Sequence, residues 1–280
     1  MHWQTTRFRI SLDQPRVMGI VNVTPDSFSD GGRHALADVA MRHCEQLLRD
    51  GADILDIGGE STRPGAAALD EEQEIARVLP VLRYALSLGV PVSVDTCSAK
   101  LIAIALDLGV DIVNDVRSLR RAGALEALAA HPSAGVCLMH MRGEPADMAS
   151  LCDYEDVVAE VALVLSEHLA RVQTAGVTAD RIVLDPGIGF AKRPEDNLAL
   201  LQRQAELLSL GQPLLVGWSR KGTLGAITGK AVTDRLASSL AAALAAVQRG
   251  ASVLRVHDVA QTVDALKVWQ AAQTGRLSSA

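Results

Sequence analysis

The chain has 280 residues, of which 49% are hydrophobic and 21% are charged, a composition typical of a globular protein with a large core. Its formal net charge is −6 at pH 7 and basic residues form no long run, so we expect neither nucleic acid nor a membrane as a partner. Residues 1–12 carry no apolar stretch of the kind that a secretory signal needs, and no run approaches the roughly 18 apolar residues of a membrane span. We therefore expect a cytoplasmic location.

Cysteine spacing and short motifs exclude several classes of enzyme. The four cysteines form no Cys-x-x-Cys pair, which favours buried thiols in a reducing compartment over disulfides or a zinc site. HExxH, GxGxxG and GxSxG motifs are missing from the sequence, which argues against metalloprotease, dinucleotide oxidoreductase and serine hydrolase activities. Gly217 and Gly222 have phosphate-loop spacing, but Thr223 stands where that loop requires lysine. The four cysteines are Cys44, Cys97, Cys137 and Cys152.

Helix-like stretches alternate with short aliphatic runs along the whole chain. Each of six helix-like stretches ends at a glycine, which is the usual residue for a left-handed helix stop. Two stretches, 157–172 and 236–247, repeat apolar residues every three or four positions, which predicts helices. The glycines are Gly51, Gly89, Gly109, Gly176, Gly211 and Gly250. The repeating residues are Val157, Val161, Leu165, Leu169 and Val172 in the first stretch and Leu236, Leu240, Leu244 and Val247 in the second. The aliphatic runs are 18–23, 54–57, 91–94, 111–114, 136–139, 182–184, 214–217 and 253–256.

This alternation predicts an α/β fold with a parallel sheet that is covered by helices. Eight strand-helix units in about 250 residues favour a closed (β/α)8 TIM barrel over the alternative, an open doubly wound sheet. We expect a single domain over residues 1–280, in which residues 1–16 form a short hairpin or arm under a barrel that spans about 17–273.

Unusual polar residues follow each predicted strand, at the end where a barrel displays its chemistry. Asp56 alone is best explained by pairing with a buried arginine. Asp95, Asn114 and Asp185 together favour a ligand, because three buried polar groups would otherwise be costly. The other polar groups at these ends are Asn22, Asp115, His140, Ser219, Arg220, Lys221, Arg255 and His257. Because side chains alternate along a strand, Arg255 and His257 must share one face.

The strand ends divide into two predicted pockets. Asp95, Asn114, Asp185 and Lys221 suit a flat heterocycle with amino and ring N–H donors and a carbonyl acceptor. An anion pocket for phosphate or pyrophosphate is formed by Asn22, Arg63, Arg255 and His257, with a divalent metal at the amide oxygen of Asn22. The glycine-rich loops after the first two strands, which include Phe28 and Pro64, are interpreted as lids, although exposed connections are the alternative.

These stretches resemble the dihydropteroate synthase family of pterin-binding enzymes, and the resemblance runs from about residue 16 to the last helix. The matching segments are GIVNVTPDSFSDGG at 19–32, DIGGESTRPG at 56–65, SVDT at 93–96, NDV at 114–116, MHMRG at 139–143, DPGIGF at 185–190, GWSRK at 217–221 and RVHDV at 255–259. The resemblance implies condensation of 7,8-dihydropterin-6-ylmethyl pyrophosphate with 4-aminobenzoate, with Mg2+ as cofactor. It also implies a homodimer and inhibition by sulfonamides.

The resemblance also implies roles for individual residues. Asp95, Asn114, Asp185 and Lys221 would hold the pterin, with Met139 and Arg255 near its faces. The groups that would hold the metal-bound pyrophosphate are Asn22, Arg63, Arg255 and His257. The aminobenzoate site would be lined by Thr62, Pro64, Gly189, Phe190 and Ser219, and further substrate contacts would come from Phe28, Val116 and Gly217. The catalytic set would be Arg63, Asp95, Lys221, Arg255 and His257.

Two other functions remain compatible with these residues. A methyltetrahydrofolate-binding methyltransferase domain shares the barrel and pterin recognition, but would not need the sets at 62–64 and 219–221. A pterin-binding paralogue without catalytic activity is the second alternative. Pyrophosphate release that requires both substrates separates all three.

Overall fold

The computed structural model describes residues 1–24, 33–60, 69–144 and 147–276. Eight parallel strands form a closed barrel in the order β10-β3-β4-β5-β6-β7-β8-β9. The predicted (β/α)8 barrel is therefore confirmed, and the doubly wound alternative is wrong. The barrel strands are β3 (Arg16–Asn22), β4 (Ile54–Gly58), β5 (Val92–Asp95), β6 (Ile112–Asp115), β7 (Gly135–Met139), β8 (Ile182–Asp185), β9 (Leu214–Val216) and β10 (Ala251–Val256).

Helices connect successive strands and cover the barrel. The six helical stretches that were predicted to stop at a glycine do so. All six glycines have φ between 74° and 96°, a conformation in which a Cβ would clash with the backbone. Side chains cap several helix starts, since Asp70 accepts from the Gln73 amide, Ser98 from the Leu101 amide and Asp156 from the amides of Val158 and Ala159. The helices are α1 (Arg33–Arg49), α2 (Glu71–Leu86), α3 (Ala99–Asp107), α4 (Ala124–Ala129), α5 (Val157–Thr174), α6 (Pro194–Gln202), α7 (Gly222–Thr228), α8 (Leu236–Val247) and α9 (Val259–Thr274). Short 3-10 helices span Met148–Ser150, Ala179–Arg181, Gln204–Leu210 and Val232–Asp234.

A hairpin closes the amino-terminal end of the barrel, as predicted for residues 1–16. Strands β1 (His2–Gln4) and β2 (Arg9–Ser11) pair antiparallel. The Trp3 indole is fully buried and donates to the Arg181 carbonyl over 2.9 Å. Trp3 lies in one apolar cluster with seven side chains of the barrel lumen, which we call the plug. The plug residues are Met18, Ile54, Ile112, Cys137, Val183, Leu215 and Val253.

A second apolar layer lies between the barrel and its helices. The predicted stripe of α5 contributes Val157, Val161, Leu165 and Val172 to it as buried residues, with Leu169 packed against its edge. The apolar spacing at 236–247 predicts the helix α8 correctly but does not mark its inner face, because Leu236 is exposed, Leu240 and Leu244 are partly buried and Val247 alone of the four is buried. This helix is apolar around most of its circumference, so leucine spacing does not specify its inner face. Small residues let it approach the barrel closely, and its buried residues are Ser239, Ala242, Ala243, Ala246 and Val247.

Among the described residues, none of the helices has the length and apolarity that crossing a membrane would require.

Candidate active site

A polar layer lies directly above the plug, at the carboxyl ends of the strands. Successive side chains of a strand alternate between its two faces, so the residue two positions after a plug residue also faces the lumen. Strand pairing sets neighbouring members of the layer side by side, since Asp95 is opposite Asn114 and Met139 is opposite Asp185. The residues that follow plug residues by two positions are Asp56, Asn114, Met139, Asp185, Gly217 and Arg255, together with the apolar Ile20 of β3.

Arg255 bridges two carboxylates in this layer. Its Nε donates to Asp56 Oδ2 and its Nη2 to Asp95 Oδ2, each over 2.6 Å. The same Asp56 oxygen accepts from Asn114 Nδ2 over 3.1 Å. Asp56 therefore pairs with an arginine as predicted, but that arginine keeps 22% of its side chain exposed and is itself a predicted site residue. The network joins strands β4, β5, β6 and β10 across the lumen.

Burial sets the proton affinities of the remaining charged groups. It raises the pKa of Asp95 to about 7, a rise that the Arg255 guanidinium opposes and the Asp56 carboxylate increases. Burial also raises the pKa of Asp185, against the opposing effects of the Gly187 amide and of Lys221. The pKa of Lys221 falls to about 8 through burial, although the charge of Asp185 acts in the opposite direction. Burial thus favours the neutral form of Asp95, and the bond to Arg255 favours the charged form.

Arg255 and His257, the cationic residues at the end of the last strand, have different partners. Arg255 lies on the lumen side with Val253, and His257 follows just beyond the end of β10. His257 Nδ1 is 3.0 Å from Ser219 Oγ, and its backbone amide donates to the same hydroxyl over 3.2 Å. Burial, together with Arg220 and Arg255, lowers the pKa of His257 to about 3. This imidazole is therefore neutral at pH 7 and interacts through hydrogen bonds rather than charge.

An apolar cluster lies at the same end of the barrel as the charged layer. It contains three predicted site residues, Val116, Met139 and Phe190. Lys221 Nζ lies 4.4 Å from the centroid of the Phe190 ring, a distance suited to a cation–π contact. The sequence analysis missed the other members, whose only signal was a group of soft side chains next to the motifs. They are Cys97, Met141, Met148 and Ala191.

Two polar residues that we expected at the lumen serve other purposes. Asp115 comes one position after Asn114, so it faces away and binds the following loop by accepting from the amides of Arg117 and Leu119. His140 comes one position after Met139 and is fully buried, with Nδ1 2.8 Å from Lys192 Nζ. Alternation along a strand separates both residues from the polar layer.

Some predicted residues lie outside the described part of the chain. These are Phe28, Thr62, Arg63 and Pro64, with most of the two glycine-rich loops. Asn22 is described, ends β3 opposite Gly58 and is partly exposed. Within the described residues, no group of three His, Cys, Asp or Glu side chains could hold a metal ion.

The fold and the site define a (β/α)8 barrel with a charged pocket at the carboxyl ends of its strands. Residues 18–257 match the family described as pterin binding enzyme, and the chain belongs to that family. It is 52% identical over 275 residues to dihydropteroate synthase of Neisseria meningitidis serogroup B. The matched residues make up 96% of each chain.

Solved structures resemble it equally closely. Dihydropteroate synthase of Xanthomonas albilineans with 4-aminobenzoic acid matches at a TM-score of 0.89 and 49% identity over 95% of each chain. A complex of the enzyme from the same organism with 7,8-dihydropteroate matches at a TM-score of 0.89 and 45% identity, over 98% of this chain and 99% of the other. The likeness therefore extends over the whole barrel.

Proposed function

We propose that the protein is a transferase of folate biosynthesis that condenses 7,8-dihydropterin-6-ylmethyl pyrophosphate with 4-aminobenzoate. The products are 7,8-dihydropteroate and pyrophosphate. The observation that carries the proposal is the polar layer, where carboxylates, an amide and a guanidinium meet above an apolar plug. The named activity of the 52% identical relative and the ligands of the solved structures support the same reaction.

The pterin ring binds to the polar layer in this proposal. Asp95, Asp185 and Asn114 accept from its amino and ring N–H groups, and Lys221 donates to its carbonyl. Val116, Met139 and Phe190 supply an apolar wall for the flat ring, while Gly217 leaves room for it. Such a pocket, mostly apolar with a few fixed polar groups, is the usual form of a small-molecule site.

The leaving pyrophosphate binds at the cationic side of the layer. Arg255 has five N–H donors, of which its bonds to Asp56 and Asp95 use two, so three remain for phosphate oxygens. His257 donates as a neutral imidazole, and Arg63 adds a second guanidinium. Because the two carboxylates fix Arg255 in advance, little reorganisation is needed when negative charge develops.

Mg2+ would enter this site with its substrate. The donors present fit such an ion, because Mg2+ usually keeps several waters and combines few protein ligands with substrate phosphates. The amide oxygen of Asn22 would be the protein ligand, at the partly exposed end of β3. The ion would supply neutralisation of the leaving phosphates.

The aromatic amine then forms the new bond. Its nitrogen attacks the methylene carbon as the carbon–oxygen bond breaks, pyrophosphate departs with the bonding electrons, and the amine releases a proton. An aromatic amine is neutral and nucleophilic at pH 7, so no strong general base is required. Thr62, Pro64, Gly189, Phe190 and Ser219 form its subsite in this proposal. Phe28 and Pro64, which lie outside the described residues, would help to exclude water.

Sulfonamides should compete at the same subsite. Because they imitate 4-aminobenzoate, a sulfonamide should raise the KM for 4-aminobenzoate without changing kcat. A lower kcat with an unchanged KM would contradict a shared subsite.

We further propose a single-domain chain that acts as a homodimer in the cytoplasm. Exposed apolar side chains from α7 to the start of α8, Ile227, Val232 and Leu236, support self-association. The four cysteines are free and buried, in keeping with a reducing compartment.

The decisive assay measures pyrophosphate release with each substrate alone and with both together. Release that requires both substrates supports condensation, whereas release without 4-aminobenzoate, or none at all, contradicts it. A methyltransferase domain or a silent paralogue would bind pterin without releasing pyrophosphate. Asp185→Asn should be strongly impaired, and the matched control Asp264→Asn, an exposed position on α9, should retain wild-type activity.

A further inference from the structure

Lys192 is a buried lysine that the reaction above does not use. It lies in the loop between β8 and α6, and only 8% of it is exposed. Its Nζ lies 2.8 Å from His140 Nδ1 and donates to the carbonyl oxygens of Gly187 and Phe190 over 3.0 Å each. The His140 carbonyl oxygen is a fourth, longer contact at 3.5 Å, so acceptors are present for all three N–H donors of an ammonium.

The loop that Lys192 binds has an unusual backbone. Gly187, Gly189 and Ala191 all adopt left-handed conformations, with φ of 69°, 81° and 49°. These turns direct the carbonyls of Gly187 and Phe190 inward to Nζ. Without it those buried oxygens would lose a donor, which is unfavourable in a protein interior. Lys192 therefore stabilises the irregular backbone of residues 187–190 through its carbonyl oxygens.

The other face of the same loop meets the polar layer. Asp185 Oδ1 accepts from the Gly187 amide over 2.7 Å. A Cβ on Gly189 would lie 3.1 Å from Lys221 Cδ. The ammonium of the same lysine lies over the Phe190 ring. Lys192 and Lys221 thus lie on opposite sides of one loop, and a shift of its backbone would move Asp185, Gly189 and Phe190 together.

His140 connects this loop to β7. Its amide donates to the Asp185 carbonyl over 2.9 Å, and a Cβ on Gly187 would lie 1.9 Å from its carbonyl oxygen. Burial lowers the pKa of His140 to about 2 and that of Lys192 to about 7. Asp185 and Asp196 favour the charged lysine, and Lys221 and Arg142 oppose it. The pair therefore carries at most one positive charge.

We propose that Lys192 is a positioning residue for the condensation, which fixes the 187–190 backbone so that Asp185, Gly189 and Phe190 keep the geometry that both substrates need. This inference rests on the proposed function. The reason that the effect should be large is that small misplacements of binding groups reduce rates by up to about 100-fold.

The test compares Lys192→Met, which keeps the side-chain length without donors, with Lys192→Gln, which keeps two N–H donors. Lys267→Met is the matched control, because Lys267 is an exposed lysine on α9. We expect Lys192→Met to raise the KM for both substrates about 10- to 100-fold and to accelerate amide hydrogen exchange at 187–190. Lys192→Gln should show intermediate effects, and Lys267→Met should match the wild type.

Each outcome decides the proposal. A lower kcat with unchanged KM values would indicate only a smaller folded fraction and would overturn it, as would failure of both Lys192 variants to fold. Unchanged hydrogen exchange at 187–190 in Lys192→Met would also overturn it. If the wild type releases no pyrophosphate, the proposed function fails, while the exchange experiment still tests whether Lys192 holds the loop.

Discussion

The substitution Asp56→Asn tests whether the network around Arg255 stabilises the barrel mouth. Asp56 is fully buried, and its Oδ2 accepts from both Arg255 and Asn114. An asparagine oxygen can take the same position, so both hydrogen bonds persist without the negative charge. The oxygen that accepts from Arg255 is then uncharged, so the hydrogen bond is weaker. This change should lower the free energy of unfolding by about 1–2 kcal/mol.

A second cost comes from the other atom of the side chain. Asp56 Oδ1 is buried and has no hydrogen-bond partner among the described residues, so an amide NH2 there would be unsatisfied and cost about 1–3 kcal/mol. Removal of a buried charge offsets part of the sum. We expect a net loss of about 1–3 kcal/mol in the free energy of unfolding. The pKa of Asp95 should also fall, because the Asp56 charge helps to raise it.

Urea unfolding at pH 7 measures the difference. Glu206→Gln is the control, because Glu206 pairs with Arg203 on the surface over 2.8 Å and exposed pairs contribute little to stability. If Asp56→Asn is no less stable than Glu206→Gln, the network does not stabilise the barrel mouth and the reasoning is wrong.

Three further substitutions test the loop after β8 and its partners. Asp185→Asn should weaken pterin binding by about 2–4 kcal/mol through loss of charge-assisted bonds, and wild-type affinity in calorimetry would reject its role. Gly187→Ala places a methyl 1.9 Å from the His140 carbonyl oxygen at φ +69°, so we expect a loss of more than about 2 kcal/mol in urea unfolding, and wild-type stability would contradict the loop geometry. Since burial lowers the pKa of Lys192 from 10.5 to about 7, the unfolded chain binds more protons between these pH values, and this lysine makes stability rise with pH by at most about 1.4 kcal/mol per unit. Lys192→Met should lose that rise between pH 7 and 9, and equal slopes in the two proteins would refute it.

Sequence patterns predicted the barrel because its rules are local. Six glycines that end helices and eight aliphatic runs need only backbone geometry and strand alternation to be interpreted. The same alternation places Asp185 and Arg255 in one layer once their strands are known. It also explains the misplaced residues, since His140 and Asp115 each lie one position out of phase with that layer.

Pairing partners were harder to predict because they depend on which strands meet. Arg255 is 199 residues from Asp56 in the chain, and no spacing rule connects the two. The leucine spacing in α8 predicts a helix but not its inner face, because alanines surround the leucines. Lys192 gave no signal beyond a charge in a glycine-rich loop, and its burial follows from left-handed turns that only the folded loop reveals.

The plug also determines the route by which ligands can reach and leave the pocket. Closely packed side chains of seven strands, with Trp3 behind them, close the lumen at its amino-terminal end. A ligand of the polar layer therefore enters and leaves at the carboxyl ends of the strands.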